Sequence, residues 1–218
     1  MAALEMLVTG PDNGPLLLLA HGAGAQMDSS FMESFAALMA KRGIGVARFE
    51  FPYMAARRAG GKKRPPPKAE SMQPSYLEAV AQCRASHPER PLFIGGKSMG
   101  GRIASLVADE VFARGECLGL VCLGYPFHPP NVPDKPRTAH LLALQCPALI
   151  VQGERDPFGP KTELLAFVLA PSISFHWAGD GDHDFGPRGG SGFTRKGNLA
   201  AAADAVAVFV AGRGTSAL

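Results

Sequence analysis

The run Gly96-Lys97-Ser98-Met99-Gly100 sets a serine between two glycines, each two positions away. Small residues at those positions allow a sharp strand-to-helix turn that strains the serine backbone and lifts its hydroxyl clear of a sheet, poised as a nucleophile. A serine hydroxyl is weak until a neighbouring base takes its proton, and the base needs a third group to orient it. His183, in the glycine-rich stretch Ala178-Gly-Asp-Gly-Asp-His183, is the candidate base. Asp156, in Gly153-Glu-Arg-Asp156-Pro-Phe158, is the candidate orienting acid, favoured over Glu154 because a shorter acid slightly further past a strand end suits that role. A negative charge developing on a carbonyl oxygen would need backbone N–H donors. Met99 offers one, and the small-residue turn His21-Gly-Ala-Gly-Ala25 a second, Ala23 being preferred to Gly24.

Other chemistries for the same residues fail on required positions. A phosphate-binding loop ending at Gly96-Lys97-Ser98 needs a glycine where Pro91 stands. Asp180, Asp182 and Asp184 imitate the start of a calcium loop, but its sixth position holds Phe185 instead of glycine and its twelfth holds Ser191 instead of glutamate. Neither a metal nor an organic cofactor is expected. His21 reads as a structural group holding its own turn rather than as a second base.

These residues need a scaffold, and short apolar runs supply it. One weak strand ends at Val8; others are expected at 16–20, 45–51, 91–95, 118–123, 148–152 and 172–177. Most are continuously apolar, as strands buried on both faces are. Helical patterns fall between them at about 30–42, 75–86, 99–113, 137–144, 160–170 and 199–211, the last with Asn198 as N-cap and Gly212 as stop. The alternation implies an α/β fold of three layers, with a mainly parallel sheet of about seven strands covered by helices on both faces. Ligands in such sheets bind beyond the carboxyl ends of the strands. Ser98, Asp156 and His183 each follow a predicted strand.

The length of 218 residues, with 46% apolar and 19% charged positions, fits one domain over 1–218. No apolar run reaches the length of a membrane span, and the N-terminus lacks the basic start of a signal peptide. Cys83, Cys117, Cys122 and Cys146 form no C-x-x-C pair and read as buried thiols, which points to the cytoplasm. The net charge of +3 is concentrated: Arg57, Arg58, Lys62, Lys63, Arg64 and Lys68 occupy one stretch without an acid. With Gly60, Gly61 and Pro65-Pro66-Pro67 it reads as a loop.

At these residues the chain resembles the α/β-hydrolase superfamily. More narrowly it is similar to the small cap-less predicted hydrolases of the KANL/Tex group and, more distantly, to dienelactone hydrolases. The resemblance spans His21-Gly-Ala-Gly-Ala25, Phe51-Pro-Tyr-Met54, Gly95-Gly-Lys-Ser-Met-Gly-Gly-Arg102, Gly124-Tyr-Pro-Phe-His-Pro129 and Gly153-Glu-Arg-Asp156. It implies Ser98 as nucleophile, His183 as base and Asp156 as its partner. Serine stands here where dienelactone hydrolases typically carry cysteine. The order Ser, Asp, His also differs from the chymotrypsin-like and subtilisin-like orders.

The expected activity is hydrolysis of a small ester or thioester through an acyl-enzyme. The segment 125–136 is too short for a helical cap, so the site is expected to be open, with Tyr53, Tyr125, Arg57 and Arg58 as candidate substrate contacts. The competing expectation is a non-catalytic scaffold of the same fold that uses the basic stretch for an acidic partner. Nucleic acid is disfavoured because the three-residue set is intact.

Overall fold

Leu16-Leu-Leu-Leu-Ala20 is apolar at every position, and all five side chains are buried. A strand with no solvent-facing side must have layers on both faces, and the computed structural model shows them. It describes residues 4–62, 64–130 and 132–214; Lys63 of the basic stretch lies outside the described residues.

Among the described residues the strands are β1 (Met6–Thr9), β2 (Leu16–Ala20), β3 (Gly45–Phe49), β4 (Leu92–Lys97), β5 (Leu120–Leu123), β6 (Ala148–Gly153) and β7 (Ile173–Ala178). They form one sheet in the order β1-β3-β2-β4-β5-β6-β7, with β1 antiparallel to β3 and every other pairing parallel. The helices are α1 (Ser30–Ala40), α2 (Pro52–Arg58), α3 (Gln73–Ser86), α4 (Met99–Ala113), α5 (Lys161–Leu164) and α6 (Arg195–Gly214). No helix among the described residues is long and apolar enough to cross a membrane.

Alternation along each strand divides the interior into two cores. Leu16, Leu18, Ile94, Leu120, Cys122 and Ile150 face α3 and α4, meeting Tyr76, Val80, Ile103 and Val107. Leu17, Leu19, Phe93, Val121, Leu123 and Val151 face α1 and α6, meeting Phe35, Met39, Ala203 and Val206. Each fully buried leucine contributes about 1.5–3 kcal/mol.

The chain builds β2 and β3 toward one edge and β4 to β7 toward the other. The strand order therefore switches between β2 and β4, which pair with Ala20 opposite Gly96. The crevice at such a switch is where an open α/β sheet binds its ligands. It brings the turn at 21–25 against the residue that follows β4.

Several expected elements differ. Residues 137–144 hold only a short 3-10 turn, Ala139–Leu142, and the helix expected over 160–170 shrinks to Lys161–Leu164. In the second case Leu164 and Ala170 are buried and Phe167 and Leu169 pack partly against the core, while Leu165 and Val168 face solvent, so the buried positions do not extend a regular helical face beyond Leu164. Helix α6 starts before Asn198: the Gly197 N–H donates to Thr194 Oγ1, and Asn198 turns its amide elsewhere. Arg57 and Arg58 are not in a loop but in the last turn of α2, which opens with Pro52, a residue suited to a first helical position.

The turn between β4 and α4 depends on close backbone packing. A Cβ on Gly100 would lie 2.5 Å from the His21 carbonyl oxygen and 2.7 Å from that of Ala20. Neither atom can move without disturbing β2. Gly100→Ala is expected to cost about 3 kcal/mol and to lower the melting temperature by about 6–12 °C in calorimetry.

Candidate active site

Ser98 stands alone between β4 and α4 with φ 52° and ψ −118°. Such a conformation costs a non-glycine residue about 1–3 kcal/mol. It is held by the Ser98 N–H donating to Leu123 O at 2.9 Å and by the Arg102 N–H donating to Ser98 O at 3.0 Å. The Ser98 Oγ lies 2.8 Å from His183 Nε2, and His183 Nδ1 lies 2.8 Å from Asp156 Oδ2. The structure thus brings together side chains that follow β4, β6 and β7.

Asp156 is fully buried. Its Oδ1 accepts the Phe158 N–H at 2.9 Å, and its Oδ2 accepts Gln152 Nε2–H at 3.0 Å besides facing the imidazole. Burying a carboxylate is costly unless donors surround it, and here they do. Gln152 itself spans three further groups, taking the Tyr125 N–H on Oε1 and giving Nε2–H to the carbonyls of Tyr125 and Gly159. Sequence reasoning missed Gln152; the signal was a polar residue at the end of an otherwise apolar strand. Glu154, the competing acid, is taken up by Lys161 Nζ at 2.7 Å and by the Asp180 N–H.

The His183 loop is pinned from several sides. Asp182 Oδ1 accepts the N–H groups of Asp184 and Gly186. Asn198 Nδ2 donates to the carbonyls of Gly179 and Phe185, so the polar group expected as a helix cap ties α6 to this loop instead. Asp180 forms ion pairs with Arg188 and Arg155, and the hydrogen bonds from Arg188, with Arg155 adding to them, hold its carboxyl down at about 2. The fourth support is Lys97, which sequence reasoning passed over as the variable residue of the serine turn. Its side chain is buried, and its Nζ donates to the His183 carbonyl at 2.9 Å, pairs with Asp184 at 3.2 Å and lies 5.3 Å above the Phe31 ring. Burial pulls the Lys97 ammonium below its ordinary pKa, while Asp184 opposes that shift.

On the opposite side of Ser98 is the turn at 21–25. His21 is buried, with Nδ1–H donating to Gly22 O at 2.6 Å and Nε2 accepting the Phe51 N–H at 3.1 Å. Desolvation lowers its pKa, which suits that neutral tautomer. The Tyr53 hydroxyl donates to Ala23 O at 3.1 Å, steadying the same turn, and burial raises the phenol to about 12. Met99 opens α4, so its N–H has no intrahelical acceptor.

Two grooves meet at Ser98, and Ala23 and Phe158 line both. One, of about 390 Å³, runs past Lys97, His183 and Asp184. The other, of about 460 Å³, runs past Met99, Pro126 and the segment 66–70, with Arg102 and Arg137 in its wall. The Phe158 ring lies 4.4 Å from the imidazole, centroid to centroid.

None of the four expected substrate contacts lines a groove at Ser98. Tyr125 does not line a groove: it is fully buried, because its ring packs on Phe127 and its hydroxyl donates to Arg137 O at 2.8 Å. Arg58 is committed elsewhere, bidentate to Asp28 at 2.8 Å and paired with the buried Glu50 at 2.7 Å, which hold its pKa well above the usual range. Arg57 and Tyr53 border an adjoining depression with Gly24, Arg64 and Pro65, which shares Ala23 with the Ser98 grooves but not Ser98 itself.

Residues 13–211 match the model of a family described as an alpha/beta hydrolase domain. Among solved structures, the chain is similar to the dienelactone hydrolase of Anabaena variabilis, at TM-score 0.71 and 16% identity over 96% of this chain and 92% of that one. It is similar to Est1E of Butyrivibrio proteoclasticus with ferulic acid bound, at TM-score 0.69 and 15% identity over 98% and 96%. A lidless α/β serine hydrolase of Xanthomonas campestris matches at TM-score 0.64 and 17% identity over 99% and 91%.

Proposed function

The chain belongs to the α/β-hydrolase family, and on that premise we propose that it is a serine hydrolase cleaving a small ester or thioester through an acyl-enzyme on Ser98. The observation that carries this reading is the unbroken chain of contacts from Ser98 Oγ through His183 to Asp156, 2.8 Å at each step. In the first half-reaction His183 Nε2 takes the hydroxyl proton as Ser98 Oγ attacks the carbonyl carbon. Negative charge develops on the carbonyl oxygen and is met by the N–H groups of Met99 and Ala23. The tetrahedral intermediate collapses, the bond to the leaving group breaks, and the imidazolium returns the proton to that group. Water, deprotonated by His183, then attacks the acyl carbon; the bond to Ser98 Oγ breaks, and the imidazolium returns the proton to Oγ as the acid leaves. Asp156 holds the imidazole tautomer and balances its charge in both halves.

Between β5 and β6 the described residues form one 3-10 turn and no helical cap, which suits a small substrate approaching an open crevice. Cys83, Cys117, Cys122 and Cys146 are free and buried, in keeping with the reducing cytoplasm. Lys97 acts as a positioning residue for the His183 loop. Lys97→Met leaves the largely exposed Asp184 carboxylate to water but takes the donor from the His183 carbonyl, so it is expected to cost about 1–3 kcal/mol and to lower the melting temperature by about 2–12 °C. Its kcat on a p-nitrophenyl ester should fall about tenfold with KM little changed, because small displacements of reacting groups are expensive.

Rapid mixing with p-nitrophenyl acetate tests the function. The expected result is a burst of nitrophenolate stoichiometric with the protein, followed by slower turnover. No release above the buffer rate would refute the reading.

A further inference from the structure

The groove that carries Arg102 and Arg137 is charged without being neutralised. Arg102 lies four residues after Ser98 on α4, about 6 Å along the helix axis. One of its terminal nitrogens pairs with Glu70, but its Nε is buried without a partner among the described residues. Arg137 is half-buried, and its side chain has no hydrogen bond or ion pair among the described residues. Exposed Lys68 adds a third cation to the lining, and Glu70 is the only acid there among the described residues. Burial, and then the charge of Arg102, hold the Arg137 guanidinium below its ordinary pKa. A partly desolvated cation beside another cation, opening on a groove, is an unfilled anion site: an incoming carboxylate would relieve both costs with charge-assisted hydrogen bonds.

The direction of the substrate follows from the proton path. His183 must protonate the leaving group, so that group occupies the groove His183 lines. The acyl chain then lies in the other groove, which contains Ser98, Met99, Arg102 and Arg137 but not His183. We propose that this groove is an acyl subsite for a carboxylate, with Arg137 and Arg102 binding the far end of a short dicarboxylic half-ester or half-thioester whose near carbonyl is attacked by Ser98. The inference rests on the hydrolase reading above and gives its substrate class. It places anion recognition on two arginines within a groove rather than on Arg57, which lies outside the Ser98 grooves, or Arg58, which is locked in ion pairs.

The test compares kcat/KM for p-nitrophenyl hemiglutarate with that for the neutral p-nitrophenyl valerate of matching length. Wild type should favour the hemiglutarate, and Arg137→Met should lower the ratio about 10- to 100-fold, the range for a hydrogen bond to a charged group. Arg137→Gln serves the same purpose if the methionine variant does not fold. Activity of 4-acetoxybenzoate, whose anion is on the leaving group, should not depend selectively on Arg137 relative to phenyl acetate.

An unchanged ratio in both Arg137 variants would overturn the subsite while leaving the hydrolase reading intact. An equal fall in Arg57→Met would also overturn it, by assigning the preference to the field of the basic stretch. Arg137 dependence confined to 4-acetoxybenzoate would do so as well. Failure of wild type to cleave any of these esters would remove both the hydrolase reading and the subsite.

Discussion

Ser98→Ala is expected to lower kcat on a p-nitrophenyl ester by about a millionfold, the loss typical when the nucleophile of a serine triad is removed. The size of the effect follows from covalent catalysis: without Oγ there is no acyl-enzyme, and His183 has nothing to deprotonate but water. The variant should remain folded, since the hydroxyl makes its contact with His183 Nε2 and the turn is held by backbone bonds to Leu123 and from Arg102. A melting temperature within about 4 °C of wild type would establish that activity, not folding, was lost. Activity within tenfold of wild type would assign the chemistry elsewhere.

Asp156→Asn is expected to lower kcat about 10³- to 10⁴-fold with KM little changed. Three donors converge on this carboxylate: the Phe158 N–H on Oδ1, and Gln152 Nε2–H and His183 Nδ1–H on Oδ2. An asparagine has one oxygen for them. Either orientation of its amide sets an N–H against another donor, and the imidazolium formed during catalysis loses its counter-charge. The same mismatch should cost about 1–3 kcal/mol of stability, read in the same samples by calorimetry. A kcat within about tenfold of wild type would mean that Asp156 is not the group orienting His183.

Much of the framework was legible because strands buried on both faces cannot afford polar residues. Leu16-Leu-Leu-Leu-Ala20 and the apolar run Ala148-Leu-Ile-Val151 therefore announce themselves, and the residues just past such runs are where ligands bind. Ser98 was legible through its flanking glycines, which the packing of Gly100 on the carbonyls of Ala20 and His21 explains physically. Asp156 was separable from Glu154 only by an argument about reach; the structure separates them by partners, since Lys161 takes Glu154.

What was not legible depends on contacts between distant segments. The apolar residues of 160–170 look like a helix face, yet Leu165 and Val168 face solvent. Asn198 looks like a cap but bridges two carbonyls of the His183 loop. Tyr125 looks like a lining aromatic, but its hydroxyl closes onto the backbone of Arg137, twelve residues on. Arg58 and Arg102 are both arginines in the sequence; only the fold reveals that one is spent on Asp28 and Glu50 while the other keeps a buried nitrogen unpaired among the described residues. The basic stretch divides in the same way. Its residues Arg57 and Arg58 belong to a helix, while Lys68 reaches the wall of the Ser98 groove.

The central claim is that Ser98 is a nucleophile activated by its contact with His183. It is tested most directly by treating the wild-type protein with a fluorophosphonate and mapping the adduct by peptide mass spectrometry. One adduct per chain is expected, on the tryptic peptide running from Ser98 to Arg102, and none in Ser98→Ala. A wild-type protein that stays unlabelled, or one labelled at another residue, would contradict the account.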